Sequence, residues 1–411
     1  MGRKDEINGI KLSSLMLLSL FIDEWNIFSV PMISIFMKRS LNFGTDYLGI
    51  ITGATVGGAA LGSILGGILT DRTGRRKVFL FNIILFAVSS VMSALSPNVL
   101  YLSIFRFLAG IPAGSDIANV YSYIMESVEP GKREVTGSYN TLMATLAILG
   151  INTAVILLAI SGSTSYYIWK IILLLPVFPS IALLSYYRHI PESTAWKRRK
   201  HTYTDFFREL RGSTVTWHAS LYSWLSGIAS GIEVGTFAFF IPYIILRFGV
   251  PGILYERLVI IGIYMIGVPA GYLGPRLLPM LGMRRVGYTG FSMSLSGLIL
   301  SGISIIMHFF ILLPAAMMIF VWGNHWNNQP IITSQALTAG TEFRGKATGF
   351  SNFLYMLPSF LTITVFPLMF SRIGIGYSTL VIALASLFGI VITLKLFREV
   401  YGYTGDMLPE I

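Results

Sequence analysis

Asp23, Glu24, Arg106, Asp116 and Glu233 stand in stretches of the chain that are otherwise almost free of charge. An ionisable group in hydrocarbon costs at least about 2.5–3.5 kcal/mol on insertion scales, so each is read first as a functional group. A carboxylate facing a permanent cation is ionised while paired, and protonating it frees the cation; a proton can then choose between two states. Asp23 and Arg106 reach comparable depths and are predicted to form such a proton-coupling pair. Asp116 lies deeper on the same stretch as Arg106, near its end, where a proton relay and a helix-end role are both open. Glu233 has no evident cation in its half and suits either a relay or a solute contact. Glu24 projects about 100° away from Asp23 on a helix, toward a cavity or its rim, and ranks below it.

A second cluster runs Trp322-Gly323-Asn324-His325-Trp326-Asn327-Asn328-Gln329-Pro330. Amides both donate and accept hydrogen bonds, and indoles offer flat apolar faces, a combination suited to a neutral polyhydroxylated solute. Trp322, Asn324, His325, Trp326, Asn327 and Gln329 are therefore candidate solute-binding residues, with Trp25, Asn26, Trp224 and Glu233 from other stretches. The alternative role for several of them is to satisfy the backbone freed by Pro330 and to bond neighbouring helices.

The third feature is the run Gly67 to Lys77, GILTDRTGRRK, between two apolar stretches. An acid at one helix end can cap the amino terminus of another and pair with nearby arginines, making contacts that hold a closed state. Gly67, Asp71, Arg72, Gly74, Arg75 and Arg76 are assigned to such a gate.

The elements that position these residues follow from composition. Of 411 residues 54% are hydrophobic and only 12% charged, with mean hydropathy +0.70; a soluble domain carries about a quarter charged residues. The chain is read as an all-α polytopic membrane protein. It has no cysteine, hence no disulfide or thiolate metal site, and its five histidines show no metal spacing. Neither metal nor cofactor is expected. The first apolar stretch carries Asp23, Glu24 and Asn26, unlike a cleaved signal, and is expected to remain as a span.

Windows of about twenty apolar residues, enough to cross a bilayer, fall at 10–37, 46–70, 78–96, 99–122, 135–160, 166–187, 216–247, 253–274, 286–308, 311–336, 346–370 and 374–397. These are spans one to twelve. Lys and Arg concentrate in alternate loops, with only Lys38, Arg39, Lys170, Arg247, Arg257 and Arg372 on the other side, so both termini are expected in the cytoplasm. The same distribution accounts for the net charge of +11 without nucleic acid as a partner.

The polar stretch after span six divides the chain into a six-helix bundle at 1–190, a cytoplasmic linker at 191–214 and a second bundle at 215–411. The halves repeat: Arg133 with Thr136-Gly137 is echoed by Arg344 with Thr348-Gly349, and Gly74-Arg75-Arg76 by Gly282-Met283-Arg284-Arg285. Only the first copy carries a gate acid. Duplicated halves rocking about a midplane site are a device of secondary transporters.

Gly67-x-Leu69-x-Asp71-Arg72-x-Gly74-Arg75-Arg76 between spans two and three resembles the signature of the major facilitator superfamily. Arg106-x3-Gly110-x3-Gly114 is similar to that family's second motif, and Pro191-Glu192-Ser193 with Trp196 resembles its sugar-porter and metabolite:proton symporter branches. Span seven opens Tyr222-Ser223-Trp224 in place of a sugar porter's Gln-Gln, and Asp116 looks like the span-four acid of phosphate and metabolite symporters. The resemblance implies that Asp71 bridges to span eleven and that a span-one acid faces a span-four arginine.

No His-Glu-x-x-His or Gly-x-Ser-x-Gly pattern supports an enzyme, and no nucleotide-binding loop is present. The expected function is proton-coupled symport of a small polar organic solute, a sugar or related metabolite, by a monomer in the plasma membrane. An organic-cation or drug transporter, a phosphate or organic-anion symporter and a nutrient sensor are the alternatives.

Overall fold

The computed structural model describes residues 3–43, 46–198, 206–248 and 252–403; Arg199 and Lys200 of the linker's basic run lie outside the described residues. Span one is the helix Arg3–Leu41, span two Asp46–Thr73, span three Arg75–Ala94 and span four Val99–Ser127. Span five is Lys132–Ile160 and span six Ser165–Tyr186, each made of two stacked helices. Short helices Thr194–Arg198 and Phe206–Arg211 lie in the connection to span seven, Thr214–Arg247, which contains a π turn at Val234–Ala238. Spans eight and nine share the helical stretch Ile253–Ile306 and fold back on each other at Gly282, whose φ is 76°. Span ten is Leu313–Thr338, span eleven Arg344–Ile373 and span twelve Ile375–Leu396.

Among the described residues nine stretches are long and apolar enough to cross a membrane by composition, the folded pair of spans eight and nine counting as one. Spans four and ten fall outside that set because they carry Arg106 with Asp116 and the amide cluster, the polar groups that the other helices bury. The chain is an all-α membrane protein of twelve spans in two six-helix bundles.

Close helix crossings depend on missing β-carbons. Gly58 and Gly62 of span two lie against the carbonyls of Phe107 and Ile111 in span four, while Gly110 and Gly114 lie against those of Thr55 and Ala59. This is small-residue packing, in which backbones approach because lipid offers no hydrophobic drive between helices. Span two also crosses into the other half: a β-carbon on Gly345 of span eleven would stand 2.8 Å from the Gly67 carbonyl.

The duplication is visible in the turns. Gly74 (φ 101°) and Gly282 (φ 76°) take backbone conformations open to glycine at equivalent turns. After span six, Glu192 accepts the backbone N–H of Arg75 at 2.9 Å and caps span three. After span twelve, Glu399 accepts those of Met283 at 3.0 Å and Arg284 at 3.1 Å and caps span nine.

Candidate functional site

At one end of the bundle the halves are latched. Asp71 Oδ1 accepts the N–H of Gly345 at 3.0 Å and Oδ2 that of Lys346 at 2.8 Å, so the carboxyl caps span eleven. It joins unpaired amide donors and the positive end of a helix dipole in one contact. Arg75 Nη1 lies 3.6 Å from Asp71, and its fork grips Glu126 of span four at 3.1 and 2.7 Å. Glu126 also takes Nη1 of Arg344 at 3.2 Å, so one buried carboxylate ties two arginines from opposite halves. Ser193 donates to Glu126 at 2.5 Å and Trp196 Nε1 to the Asp71 carbonyl at 3.0 Å, which places the Pro191-Glu192-Ser193 motif in the same assembly. Arg76 lies over the Tyr187 ring at 4.6 Å, and Arg72 is exposed, outside the latch. The same face is strapped by the segment after span twelve: Arg133 donates to the Tyr403 carbonyl at 2.7 Å, and Gly402 N–H to Glu134 at 3.2 Å.

Between the halves lies a cavity of about 90 Å³, room for several water molecules. Span one contributes Glu24, span five Asn140, span ten Asn324 and Gln329, and span eleven Asn352 and Tyr355. His325 of span ten also lines it. Its Nδ1 donates to the Val321 carbonyl at 2.8 Å, leaving Nε2 for the Thr145 hydroxyl at 2.5 Å, a bond that crosses the halves. The end opposite Asp71 is closed too: Phe28 meets Phe239 at 5.0 Å between ring centres, and Arg257 donates to Asn152 at 3.0 Å. The cavity wall is mostly apolar, with no Lys or Arg among the described residues that line it.

The predicted Asp23–Arg106 pair does not form. Arg106 donates through Nη2 to the carbonyl and the side-chain oxygen of Asn26, both at 2.5 Å, and through Nε to Thr55 at 3.1 Å. Asn26 also donates to the Ala109 carbonyl at 2.6 Å, so it fixes helix packing within the first half and stands away from the cavity. One turn earlier, Asp23 is buried with its Oδ2 unpartnered, while Asp116 accepts from Ser19 and from Asn82 at 2.7 Å. Asp23 and Asp116, two of the acids predicted to handle protons, are both buried in the first half.

Glu233 is buried in the second half. It accepts from Ser386 at 2.5 Å, Asn327 at 3.0 Å and Asn324 at 3.3 Å, which puts it directly behind a cavity wall residue. Asn327 accordingly faces Glu233 and Ser294 instead of the cavity. The tryptophans stand elsewhere. Trp25 donates to the Ile172 carbonyl at 3.0 Å, Trp326 donates to that of Ala270 at 3.1 Å, and Trp322 packs on Trp326 at 5.9 Å. Trp224 sits in an aromatic cluster with Phe207, Trp217 and Phe350. An indole beside an amide in sequence is turned to another face of the helix, and none of these four lines the cavity.

Sequence reasoning underrates four contributors. Glu24 ranks below Asp23 on sequence, yet it lines the cavity with Asn140. Glu126 carries no distinguishing pattern beyond its place four residues before Pro130. Glu399 follows Gly282 at nearly the interval by which Glu192 follows Gly74, a usable signal.

Two bundles latched at one end around a cavity between the halves are the architecture of a membrane transporter, not of an enzyme. The chain belongs to the major facilitator superfamily, whose family model matches residues 14–363. It is 33% identical over 176 residues to the major myo-inositol transporter IolT of Bacillus subtilis, covering 42% of this chain and 36% of that protein. It is 32% identical over 167 residues to the arabinose-proton symporter of the same organism, covering 39% and 35%. These alignments span about a third of the relatives' own length. The fold of the proton:xylose symporter XylE bound to 6-bromo-6-deoxy-D-glucose matches with a TM-score of 0.84 at 17% identity, over 97% of this chain and 98% of that one. The chain is therefore a multi-pass protein of the cell membrane.

Proposed function

We propose that the protein is a proton-coupled symporter that moves a small, hydroxyl-rich organic solute, a sugar or related metabolite, by alternating access. The observation that carries this is the cavity between the halves, whose described lining residues include amides from both halves, one carboxyl and no Lys or Arg. Anionic substrates are disfavoured there because nothing would offset their desolvation. The names of the relatives, a myo-inositol transporter and an arabinose-proton symporter, support the same class. Coupling is assigned to Asp23 and Asp116, buried acids of spans one and four that take up or release a proton as span one moves against span four. Glu233 responds to solute through Asn324. The Asp71 latch is the cytoplasmic gate, with both termini inside.

Glu24 also favours a second reading, an organic cation held by its carboxylate. Counterflow in proteoliposomes with D-xylose, L-arabinose, myo-inositol, phosphate and choline separates the two. Exchange of a neutral member supports the first reading; exchange of choline alone, or of phosphate alone, rejects it.

A further inference from the structure

Asp23 and Glu24 are neighbours with opposite surroundings. Asp23 is buried one turn after Ser19, which donates to Asp116 within the first half, whereas Glu24 reaches the cavity between the halves. There Glu24 shares the wall with Asn140 of span five, and it is the one acidic side chain among the described lining residues.

The polar atoms around it lack partners. The side-chain oxygens of Asn140 and Asn352 are buried without a hydrogen bond, as are both the oxygen and the nitrogen of the Gln329 amide. Asn352 commits its own nitrogen to Ser63 at 2.8 Å, which leaves its oxygen as an acceptor. Gln329 is 2% exposed, and a β-carbon on Gly274 would stand 2.8 Å from its amide oxygen, so the side chain is confined where it lies. Buried polar atoms without partners are destabilising, and several around one cavity mark groups that a ligand satisfies.

Most of these groups are acceptors: the Glu24 carboxylate, two amide oxygens from Asn140 and Asn352, and one from Gln329. Of the unpartnered atoms, the Gln329 nitrogen donates. A ligand matching them must supply several donors and an acceptor, which adjacent hydroxyls on a ring or short chain can do.

We infer that Glu24 is the specificity-determining residue of the cavity, its carboxylate accepting hydrogen bonds from two adjacent hydroxyls of a neutral solute while Gln329 and Asn352 bind the hydroxyls beside them. This rests on the function proposed above and names the group that recognises the substrate. Glu24 binds solute and the adjacent Asp23 carries the coupling proton, so one turn of span one joins recognition to coupling.

The test uses full-length protein in proteoliposomes, with counterflow of radiolabelled myo-inositol, D-xylose and choline and of deoxy analogues of the transported polyol. Wild type and the variants Glu24→Gln and Glu24→Ala are compared after each is shown to elute as a single species. Hydrogen bonds to a charged group are worth about 1.5–3 kcal/mol, so Glu24→Ala should raise KM for the transported polyol roughly tenfold to a hundredfold. The isosteric Glu24→Gln should recover part of that loss. A deoxy analogue lacking a hydroxyl bound by Glu24 should bind wild type weakly and lose little more in Glu24→Ala, a result that a merely structural role would not give. An unchanged KM for the polyol in both variants overturns the inference while leaving the neutral-solute function intact. Wild-type exchange of choline but of no polyol overturns both.

Discussion

Replacing Asp71 by Asn removes half of the contact that closes the gate. The carboxylate accepts two backbone N–H groups at the start of span eleven, from Gly345 at 3.0 Å and Lys346 at 2.8 Å. Asparagine keeps one acceptor and turns an NH2 toward the other donor. The lost cap bond is worth about 0.5–2 kcal/mol and the lost charge at the helix amino terminus about 0.3–1 kcal/mol. Arg75, 3.6 Å away, adds little to the loss because its fork remains on Glu126. The closed state is thereby destabilised by about 0.8–3 kcal/mol, which raises the open fraction roughly fourfold to a hundredfold, at about 1.4 kcal/mol per decade. The chain has no cysteine, so Thr348→Cys supplies a single thiol at a buried position of span eleven beyond the latch. Alkylation of that thiol by a polar maleimide in detergent should be at least roughly fourfold faster when Asp71→Asn is added. A change below about twofold would refute the cap as the closing contact.

Three further predictions follow from neighbouring contacts. Glu126→Gln leaves Arg75 and Arg344 buried without their shared counter-charge, which should cost about 3–5 kcal/mol and appear as a markedly lower Tm and, in the Thr348→Cys background, faster thiol labelling. Glu399→Gln weakens the cap on span nine by about 0.5–2 kcal/mol; Tm should fall by a few degrees with labelling unchanged, because this cap lies within one half. Gly58→Ala drives a β-carbon into the Phe107 carbonyl and should cost about 1–3 kcal/mol, read as a lower Tm that Gly53→Ala, in ordinary contact with the Phe360 ring and the Thr364 hydroxyl at 3.5 Å, does not reproduce.

The spans, the duplicated halves and the gate loop are legible in the sequence because hydropathy, charge placement and glycine spacing each leave a one-dimensional trace. The partner of Asp71 is not, since it consists of two backbone N–H groups that no residue type announces. The Asp23–Arg106 pairing fails for a different reason: Asp23 and Asn26 lie about one turn apart, and sequence does not fix how far a helix is rotated. Preferring an acid to an amide opposite arginine selects the wrong one. The span-ten run reads as one site because it is contiguous. On a helix it divides, with Asn324, His325, Asn328 and Gln329 on the cavity, Asn327 against Glu233, and Trp322 and Trp326 turned elsewhere. Glu24 ranks behind Asp23 on sequence because which of two adjacent acids meets the cavity depends on that same rotation.

Proton coupling through the Asp23–Asp116 pair is tested most directly by uptake against a concentration gradient. Proteoliposomes containing wild type, Asp23→Asn or Asp116→Asn are loaded with the polyol identified by counterflow and given an inward proton gradient. Wild type should accumulate the solute above its external concentration and lose that accumulation when the gradient is collapsed, while both variants should still exchange solute but fail to concentrate it. Accumulation by Asp23→Asn equal to that of wild type, or wild-type uptake indifferent to the proton gradient, would contradict the account.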